Sequence, residues 1–277
     1  DFGNVNTYAS FTHGYKSGGF NLDATAAIGG ADPRFLSETV DSYEVGLKGR
    51  FMDNALTFNL ALFHQEFQNF QVLEFTGIQF QTFNVPEVLS TGLELESVIR
   101  PADGLTITAG VTYVDARYPS DCGGGSGNVQ VLTLCGNELT NAPELVSILG
   151  ANFEETISSD LKFFLNGQIR LESDRRTSTQ ARTVPGAAQI AAANGSVQAA
   201  IDASPLLPVD VQDSNININL RAGIAEIDDG WAIEAWATNL TNQVTRGVTF
   251  NTTLRSGSRS AFPQEPRLYG ITVMGQL

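Results

Sequence analysis

The sequence predicts an all-β chain, antiparallel throughout, that forms the wall of a transmembrane β-barrel. Three observations predict it. Segments in which apolar and polar residues alternate recur along the chain, the two-residue period of a strand with one wet face and one apolar face. These segments are long, each at or above the roughly 9–11 residues that cross a bilayer when tilted. Strands of soluble sandwiches run to about five or six. The connections alternate between short and long, the asymmetry of a barrel with tight turns at one membrane surface and large loops at the other.

The alternation places about ten strands, near 4–14, 38–51, 54–68, 84–100, 104–118, 141–156, 160–174, 209–227, 230–240 and 265–277. In 43–50, Tyr43, Val45 and Leu47 oppose Glu44, Lys48 and Arg50. In 92–100, Leu93, Leu95 and Ile99 oppose Glu94, Glu96 and Arg100, and in 105–113 Leu105, Ile107, Val111 and Tyr113 oppose threonines. The clearest case is 161–172, with Leu161, Phe163, Leu165, Ile169 and Leu171 on one face and Lys162, Asn166, Gln168, Arg170 and Glu172 on the other. Segment 215–224 repeats it, with Ile216, Ile218, Leu220 and Ile224 against Asn215, Asn217, Asn219 and Arg221.

Short polar turns fall at Met52-Asp53-Asn54, Ala102-Asp103-Gly104, Ser158-Ser159-Asp160 and Asp228-Asp229-Gly230. Long Gly-, Ser- and Thr-rich stretches fall around 15–37, 69–83, 119–140, 175–207 and 241–264. Within the fourth, 186–203 is rich in helix formers and reads as a short helix or a mobile loop. Phe11, Tyr15, Phe63, Phe67, Phe70, Tyr113, Tyr118 and Trp231 cluster near strand ends, where interfacial girdles of aromatics are expected.

The bulk composition agrees with this reading without requiring it. Hydrophobic residues make up 42% of the 277, and mean hydropathy is −0.05. A barrel shows such values because only alternate residues face lipid. No run approaches the roughly 18 apolar residues of a membrane helix. The formal net charge of −14 argues against nucleic acid as a partner, since phosphate binding needs a basic surface.

Cys122 and Cys135 share one Gly-rich loop, with no histidine nearby to complete a zinc set. They read as a local disulfide in an oxidising compartment, the alternative being two unpaired thiols in a reducing one. The chain opens at Asp1-Phe2-Gly3 without a charged start or apolar stretch, so no signal peptide is read here.

Tyr8-Ala9-Ser10 and Gly14-Tyr15-Lys16-Ser17-Gly18-Gly19-Phe20-Asn21 begin an ordered series of motifs. Tyr43-Glu44-Val45-Gly46-Leu47-Lys48, then Asn84-Val85-Pro86-Glu87 with Thr91-Gly92-Leu93-Glu94-Leu95-Glu96, follow. Asn239-Leu240-Thr241-Asn242 and Glu265-Pro266-Arg267-Leu268-Tyr269-Gly270 complete it. In order and spacing the series resembles the TonB-dependent outer-membrane receptors over nearly the whole chain. The resemblance implies a barrel of about 22 strands in a Gram-negative outer membrane, of which these residues form the C-terminal portion. A piece of this size is expected as an open curved sheet, since its two edge strands would pair with strands outside it.

The resemblance further implies these partners: outer-membrane lipid, an N-terminal plug domain and the TonB complex acting through a TonB box, plug and box both lying outside these residues. It also implies a small-molecule or metal-chelate substrate: an iron–siderophore, haem, cobalamin or saccharide. No cofactor is implied. The family usually ends in an aromatic residue. Here Leu277 holds that phase with Tyr269, Ile271 and Val273.

Candidate site residues follow from face and loop. Glu44, Lys48, Arg50, Glu94, Glu96, Arg100, Lys162, Asn166, Gln168, Arg170, Glu172, Asn217, Asn219 and Arg221 are expected to line the lumen as ladders of mixed sign. Tyr15, Lys16, Arg175 and Arg176 are candidates for ligand contact, since recognition concentrates in loops. Two other functions stay open: a passive or substrate-specific porin, and a ten-stranded barrel protease of omptin type using His13 and His64 with Asp115 or Glu66. A catalytic histidine needs a carboxylate within hydrogen-bond reach, and nothing in the spacing marks either partner. The expected role is transport, not catalysis.

Overall fold

The computed structural model of the chain describes residues 4–22, 33–75, 78–122, 128–180, 185–204, 207–228, 230–255 and 257–275. Its body is one ten-stranded sheet. The strands are β1 (Asn4–Lys16), β2 (Glu38–Phe51), β3 (Leu56–Phe75), β4 (Phe80–Ala102) and β5 (Leu105–Arg117), followed by β6 (Leu145–Thr156), β7 (Leu161–Glu172), β8 (Asn215–Glu226), β9 (Trp231–Thr238) and β10 (Leu268–Gly275). Each pairs antiparallel with its neighbours in chain order. Strands β1 and β10 are the two edges and do not pair with each other, so the sheet is open. Unpaired edges cannot stand in lipid, where each unsatisfied backbone group costs several kcal/mol. In a membrane barrel such edges are closed by pairing with further strands.

Two of the turns at one end are tight because their residues accept left-handed backbone. Met52, Asp53 and Asn54 have φ of 54°, 51° and 71°, and the Ala55 amide donates to the Met52 carbonyl at 2.9 Å. Gly104, at φ 72°, accepts the Glu154 amide at 2.8 Å through its carbonyl. Asp229 of the fourth turn, the glycine run 123–127 and Leu277 lie outside the described residues.

Register decides the two faces, because opposed residues project to the same side. Lys48 opposes Asn59, which opposes Glu96. Asn152 opposes Asn166, which opposes Arg221. Leu47, Leu60 and Leu95 form the matching row on the other side. That other side stays apolar from edge to edge yet exposed: Val45 at 51%, Leu62 at 47% and Ile271 at 76% are examples. An uncovered apolar sheet face meets its requirement in lipid, not water. Aromatics bracket it. Phe11 and Tyr43, with ring centroids 5.2 Å apart, stand with Tyr113 near the loop end, and Phe51, Phe58, Phe153 and Trp231 near the turn end. Tyr43 to Phe51 spans about 26 Å of strand at about 3.3 Å per residue, close to the roughly 25 Å apolar band of an outer-membrane barrel.

The stretch 69–83, expected as a long loop, instead continues the β3–β4 hairpin as far as the pair Phe75 and Phe80. Its alternation switches faces on the way. Below the switch Leu62, Glu66 and Gln68 are exposed on β3. Above it Leu73 is exposed while Val72 and Glu74 are buried. On β4 the buried positions change from Val88 and Ser90 to Val85 and Phe83. The change occurs where Asn69, at φ 52°, stands across from Pro86, whose missing N–H cannot join the ladder. Asn84 Nδ2 donates to the freed Asn69 carbonyl at 2.6 Å. This offset broke the period that the sequence reading relied on.

The switch turns apolar residues toward the side of the polar face. Val72, Phe83, Val85 and Val88 pack there with Tyr118, Cys122, Val131 and Leu134. Val131 and Leu134 lie on helix α1 (Val129–Leu134), whose N-cap Asn128 accepts the Gln130 amide. Cys122 and Cys135 form a disulfide that closes this loop, Cα atoms 5.3 Å apart. Phe67, Phe70 and Tyr118, expected in a membrane girdle, belong to this loop core instead, and Phe63 opposes Gly92 on the polar face. Segment 186–203 contains α2 (Ala187–Ala192) and α3 (Val197–Asp202).

Candidate functional site

The candidate site is the polar face together with the loops at its open end. The strand register brings Glu44, Lys48, Arg50, Glu94, Glu96, Lys162, Asn166, Gln168, Arg170, Glu172, Asn217, Asn219 and Arg221 to one face. Arg100 stands at its turn end, beside a bulge between Ile99 and Ala102. Neighbouring strands tie these side chains together. The Tyr8 hydroxyl donates to Glu44 at 2.6 Å, and Lys48 Nζ lies 5.3 Å from the centre of the Tyr8 ring. Lys162 pairs with Glu154 at 3.9 Å, Arg221 with Glu234 at 3.5 Å and Arg170 with Glu172 at 2.5 Å. Asn215 Nδ2 donates to Glu172 at 3.3 Å and Asn219 Nδ2 to Gln168 at 3.5 Å.

Over one end of this face the loops lock into a cap. Its hub is Arg259, in a loop hairpin of Arg246–Asn251 paired with Arg259–Pro263. The Arg259 guanidinium grips the buried Asp210 carboxylate at 2.6 and 3.1 Å. It also donates to Asn251, Gln180 and Ser178 at 2.6, 3.2 and 2.7 Å. The Thr249 amide donates to the Thr177 carbonyl at 2.8 Å, and Thr177 and Thr249 hydroxyls meet at 2.9 Å. The Asn141 amide donates to Arg176 O at 2.8 Å. Phe75 at the β3–β4 tip meets Phe250 edge-on at 5.9 Å, and Phe250 meets Phe262 at 5.2 Å. Connections from distant parts of the sheet thus become one unit.

The four loop candidates divide. Tyr15 and Lys16 end β1 in the open, Tyr15 at 78% exposure. Arg175 and Arg176 are buried, at 4% and 6%. Arg175 is held by Glu172 at 3.0 Å and by the Arg246 carbonyl at 3.1 Å. In this structure the two arginines anchor the cap and present no open surface. Arg246, Arg259 and Asp210 carry the cap and went unread in the sequence. Ser178 and Arg259 stand 81 residues apart, and no local period links such positions.

Two carboxyls of the cap are perturbed. Burial raises the Glu74 carboxyl above its usual range, with the Arg259 charge opposing, and Gln130 Nε2 donates to it at 3.1 Å. Burial likewise raises Glu138, with Glu144 and Asp174 adding to the effect.

The histidines sit elsewhere. His13 bonds Asp41 at 2.6 Å, while His64 bonds Thr91 at 2.6 Å and Glu66 at 3.2 Å. By register both occupy the apolar side, at its loop end. The structure brings Glu66 to His64 as a partner but places Asp115 against Arg117. Among the described residues no group of three or more His, Cys, Asp or Glu could hold a metal ion.

Comparison with known proteins gives a consistent family. The model of the family described as TonB dependent receptor-like, beta-barrel matches residues 2–260. A curated protein, the probable TonB-dependent siderophore receptor PiuA of Acinetobacter baumannii, is 28% identical over 158 residues, 54% of this chain and 21% of its own length. The crystal structure of the ferric yersiniabactin uptake receptor FyuA from Yersinia pestis superposes with a TM-score of 0.70 at 17% identity, covering 97% of this chain and 34% of that one. The siderophore receptor PiuA structure gives 0.64 at 17% identity, with coverages of 98% and 33%. The copper transporter OprC gives 0.63 at 13% identity, with coverages of 98% and 37%. At these identities the solved structures show a shared fold. The chain spans little more than a third, at most, of the length of each.

Proposed function

The chain belongs to the TonB-dependent receptor-like β-barrel family, and from that premise we propose that it forms the C-terminal barrel wall of an outer-membrane receptor. The receptor binds a scarce solute of the iron–siderophore class at the cell surface and imports it with TonB energy. One observation carries the reading: a continuous polar face, backed by an exposed apolar face, ends under a consolidated loop cap. That combination suits a wall with lipid outside, a wet lumen inside and recognition at one mouth. The relatives described above, siderophore receptors among them, support the solute class.

In this reading the polar-face residues Glu44 to Arg221 line the lumen, and Tyr15 and Lys16 reach solute at the mouth. An N-terminal plug domain fills the lumen and couples to TonB. The test is uptake of radioactive iron from a panel of ferric siderophores, in the parent bacterium, in a strain lacking this gene and in a strain lacking TonB. Loss of uptake of one chelate in both mutants is expected. Uptake that needs the gene but not TonB would overturn the reading in favour of a porin.

A further inference from the structure

The β1–β2 connection encloses a cavity away from the lumen. Two short segments of it, Gly19–Phe20 and Arg34–Phe35, pair antiparallel. Side-chain amides strap this piece across the β3–β4 hairpin. Asn21 meets both backbone groups of Thr82, its Nδ2 donating to the carbonyl at 2.7 Å and its Oδ1 accepting from the amide at 2.8 Å. It thereby stands in for a neighbouring strand at the free edge of β4. Asn84 treats Leu36 the same way, accepting from its amide at 2.6 Å and donating to its carbonyl at 3.1 Å. Gln71 Nε2 donates to the Ser17 and Leu36 carbonyls at 2.9 and 3.0 Å.

The face of the hairpin that carries the strap fixes where the cavity lies. Val72, Phe83 and Val85 pack toward α1, on the lumen side. Gln71 and Asn84 are one residue out of phase with them and turn the other way. The strap therefore lies on the outer flank of the wall. From Tyr43 up to Ser37 is about 20 Å of chain at about 3.3 Å per residue, or about 15 Å of height on a strand tilted by about 40°. That level clears the hydrocarbon and stands beside the head sugars of an outer-leaflet glycolipid.

The cavity, bounded by the strap, the β4 edge and α1, measures about 870 Å³. Among the described residues that line it none is acidic, and Arg34 brings a positive charge. The chain as a whole has 30 acidic residues to 16 basic ones, so an acid-free lining of this size is a local departure. The Phe35 ring packs on Gly19, where an added Cβ would fall 2.5 Å from Phe35 Cζ. Phe20 stands on the same hairpin at 63% exposure. The Ser37 hydroxyl and the Gln81 amide also line the cavity, and neither makes a side-chain hydrogen bond among the described residues.

We infer that this flank cavity holds an acidic saccharide from the head group of an outer-leaflet glycolipid. The Arg34 guanidinium takes the acid group. Phe20 and Phe35 cover the apolar C–H face of the sugar. Ser37 and Gln81 exchange hydrogen bonds with its hydroxyls. Position selects the source: an imported solute enters on the lumen side of the hairpin, whereas the glycolipid stands beside the flank. The inference rests on the outer-membrane placement above and on no particular solute.

The test uses the full-length receptor purified in detergent. Lipopolysaccharide from the parent bacterium supplies three probes: the intact molecule, its lipid A and its released core saccharide. By surface plasmon resonance, Arg34→Gln and Phe20→Ala are each expected to bind the intact molecule about tenfold more weakly, the loss of one charge-assisted or packed contact. Lipid A is expected to bind all three proteins equally, and the core saccharide to compete with the intact molecule. Arg34 and Phe20 are exposed, so unheated gel mobility should not change. Ser37→Trp, which fills the cavity and leaves Arg34 in place, is expected to weaken binding in the same way. Equal affinity of the parent and all three variants for the intact molecule would overturn the inference, as would a core saccharide that fails to compete. Uptake of the ferric chelate is expected to stay normal in the three variants. Loss of uptake with glycolipid binding intact would assign the cavity to the solute and overturn the inference. Uptake independent of TonB in the unaltered protein would sink the receptor reading alone.

Discussion

The Phe164 ring on β7 fills the space over Gly223, its register partner on β8, where a side chain would otherwise stand: a Cβ added at Gly223 would fall 2.6 Å from Phe164 Cζ. Three further opposed pairs on the polar face repeat this arrangement. A Cβ at Gly92 would meet Phe63 at 2.7 Å, one at Gly270 would meet Trp236 at 2.7 Å, and one at Gly46 would meet the Tyr8 ring. A strand glycine costs backbone entropy, roughly 0.5–1 kcal/mol relative to alanine. An aromatic from the next strand covers its bare backbone and recovers packing. Each ring thereby leans along the wall instead of projecting from it.

Substituting these glycines should therefore weaken the barrel in a ranked way. At Gly92 and Gly223 an added Cβ also meets backbone, of Tyr113 and of Ile233 and Glu234 respectively, whereas at Gly46 it meets only the Tyr8 side chain. Overpacking of this kind costs about 1–3 kcal/mol, with Gly46→Ala at the low end because its ring can swing aside. The temperature at which unheated gel mobility is lost reads the order directly. A Gly46→Ala variant less stable than Gly223→Ala would contradict it.

Breaking the cap hub should loosen loops without unfolding strands. Asp210 is fully buried against Arg259 at 2.6 Å, and removing one partner of a buried pair typically costs about 3–5 kcal/mol. Asp210→Ala is expected to speed amide exchange in 175–180 and 246–263, leaving β7 and β8 protected. Slow exchange in both loops would show that the hub is dispensable.

Reduction of Cys122–Cys135 should act on one loop alone. A bridge closing a loop of this size contributes about 3 kcal/mol in the chain-entropy model. Its neighbours Val131 and Leu134 are buried against β3 and β4. Reductant, or Cys122→Ser with Cys135→Ser, is expected to open 119–140 to protease while the unheated gel mobility of the barrel persists. Protease resistance equal to that of the oxidised protein would remove the bridge from the account.

Glu74 makes the cap sensitive to acid in an uncommon direction. Burial raises its carboxyl in the folded state, so between the unfolded and folded values the native protein binds more protons than the unfolded one. Stability then falls as pH rises through that window and is recovered on acidification. Protection of 72–85 and 129–134 should thus increase from neutral to mildly acidic pH, and Glu74→Gln should hold the protected level at neutral pH. Protection that declines on acidification in the parent protein would reverse the assigned sign.

Much of the wall was legible because a strand states its faces locally. Leu161 to Glu172 alternates except at Phe164 and Gly167, and its polar members Gln168, Arg170 and Glu172 meet Asn219, Asn217 and Asn215 across the register. The same reasoning failed at 69–83, where Asn69 and Pro86 offset the alternation and strand looked like loop. It was silent on the cap, whose members lie far apart in sequence. Arg175 and Arg176 look like free loop cations until the fold buries them beside Glu172 and the Arg246–Pro263 hairpin.

The sequence by itself determined the fold class, the number and order of the strands, the short-turn end and which residues share a face. Those properties follow from a two-residue period and from turn chemistry, both written within a dozen residues. Only the tertiary structure decided that the β3–β4 hairpin turns its apolar side inward and that Arg259 binds Asp210. Those outcomes depend on which distant segments the register brings together, and no local pattern encodes that distance.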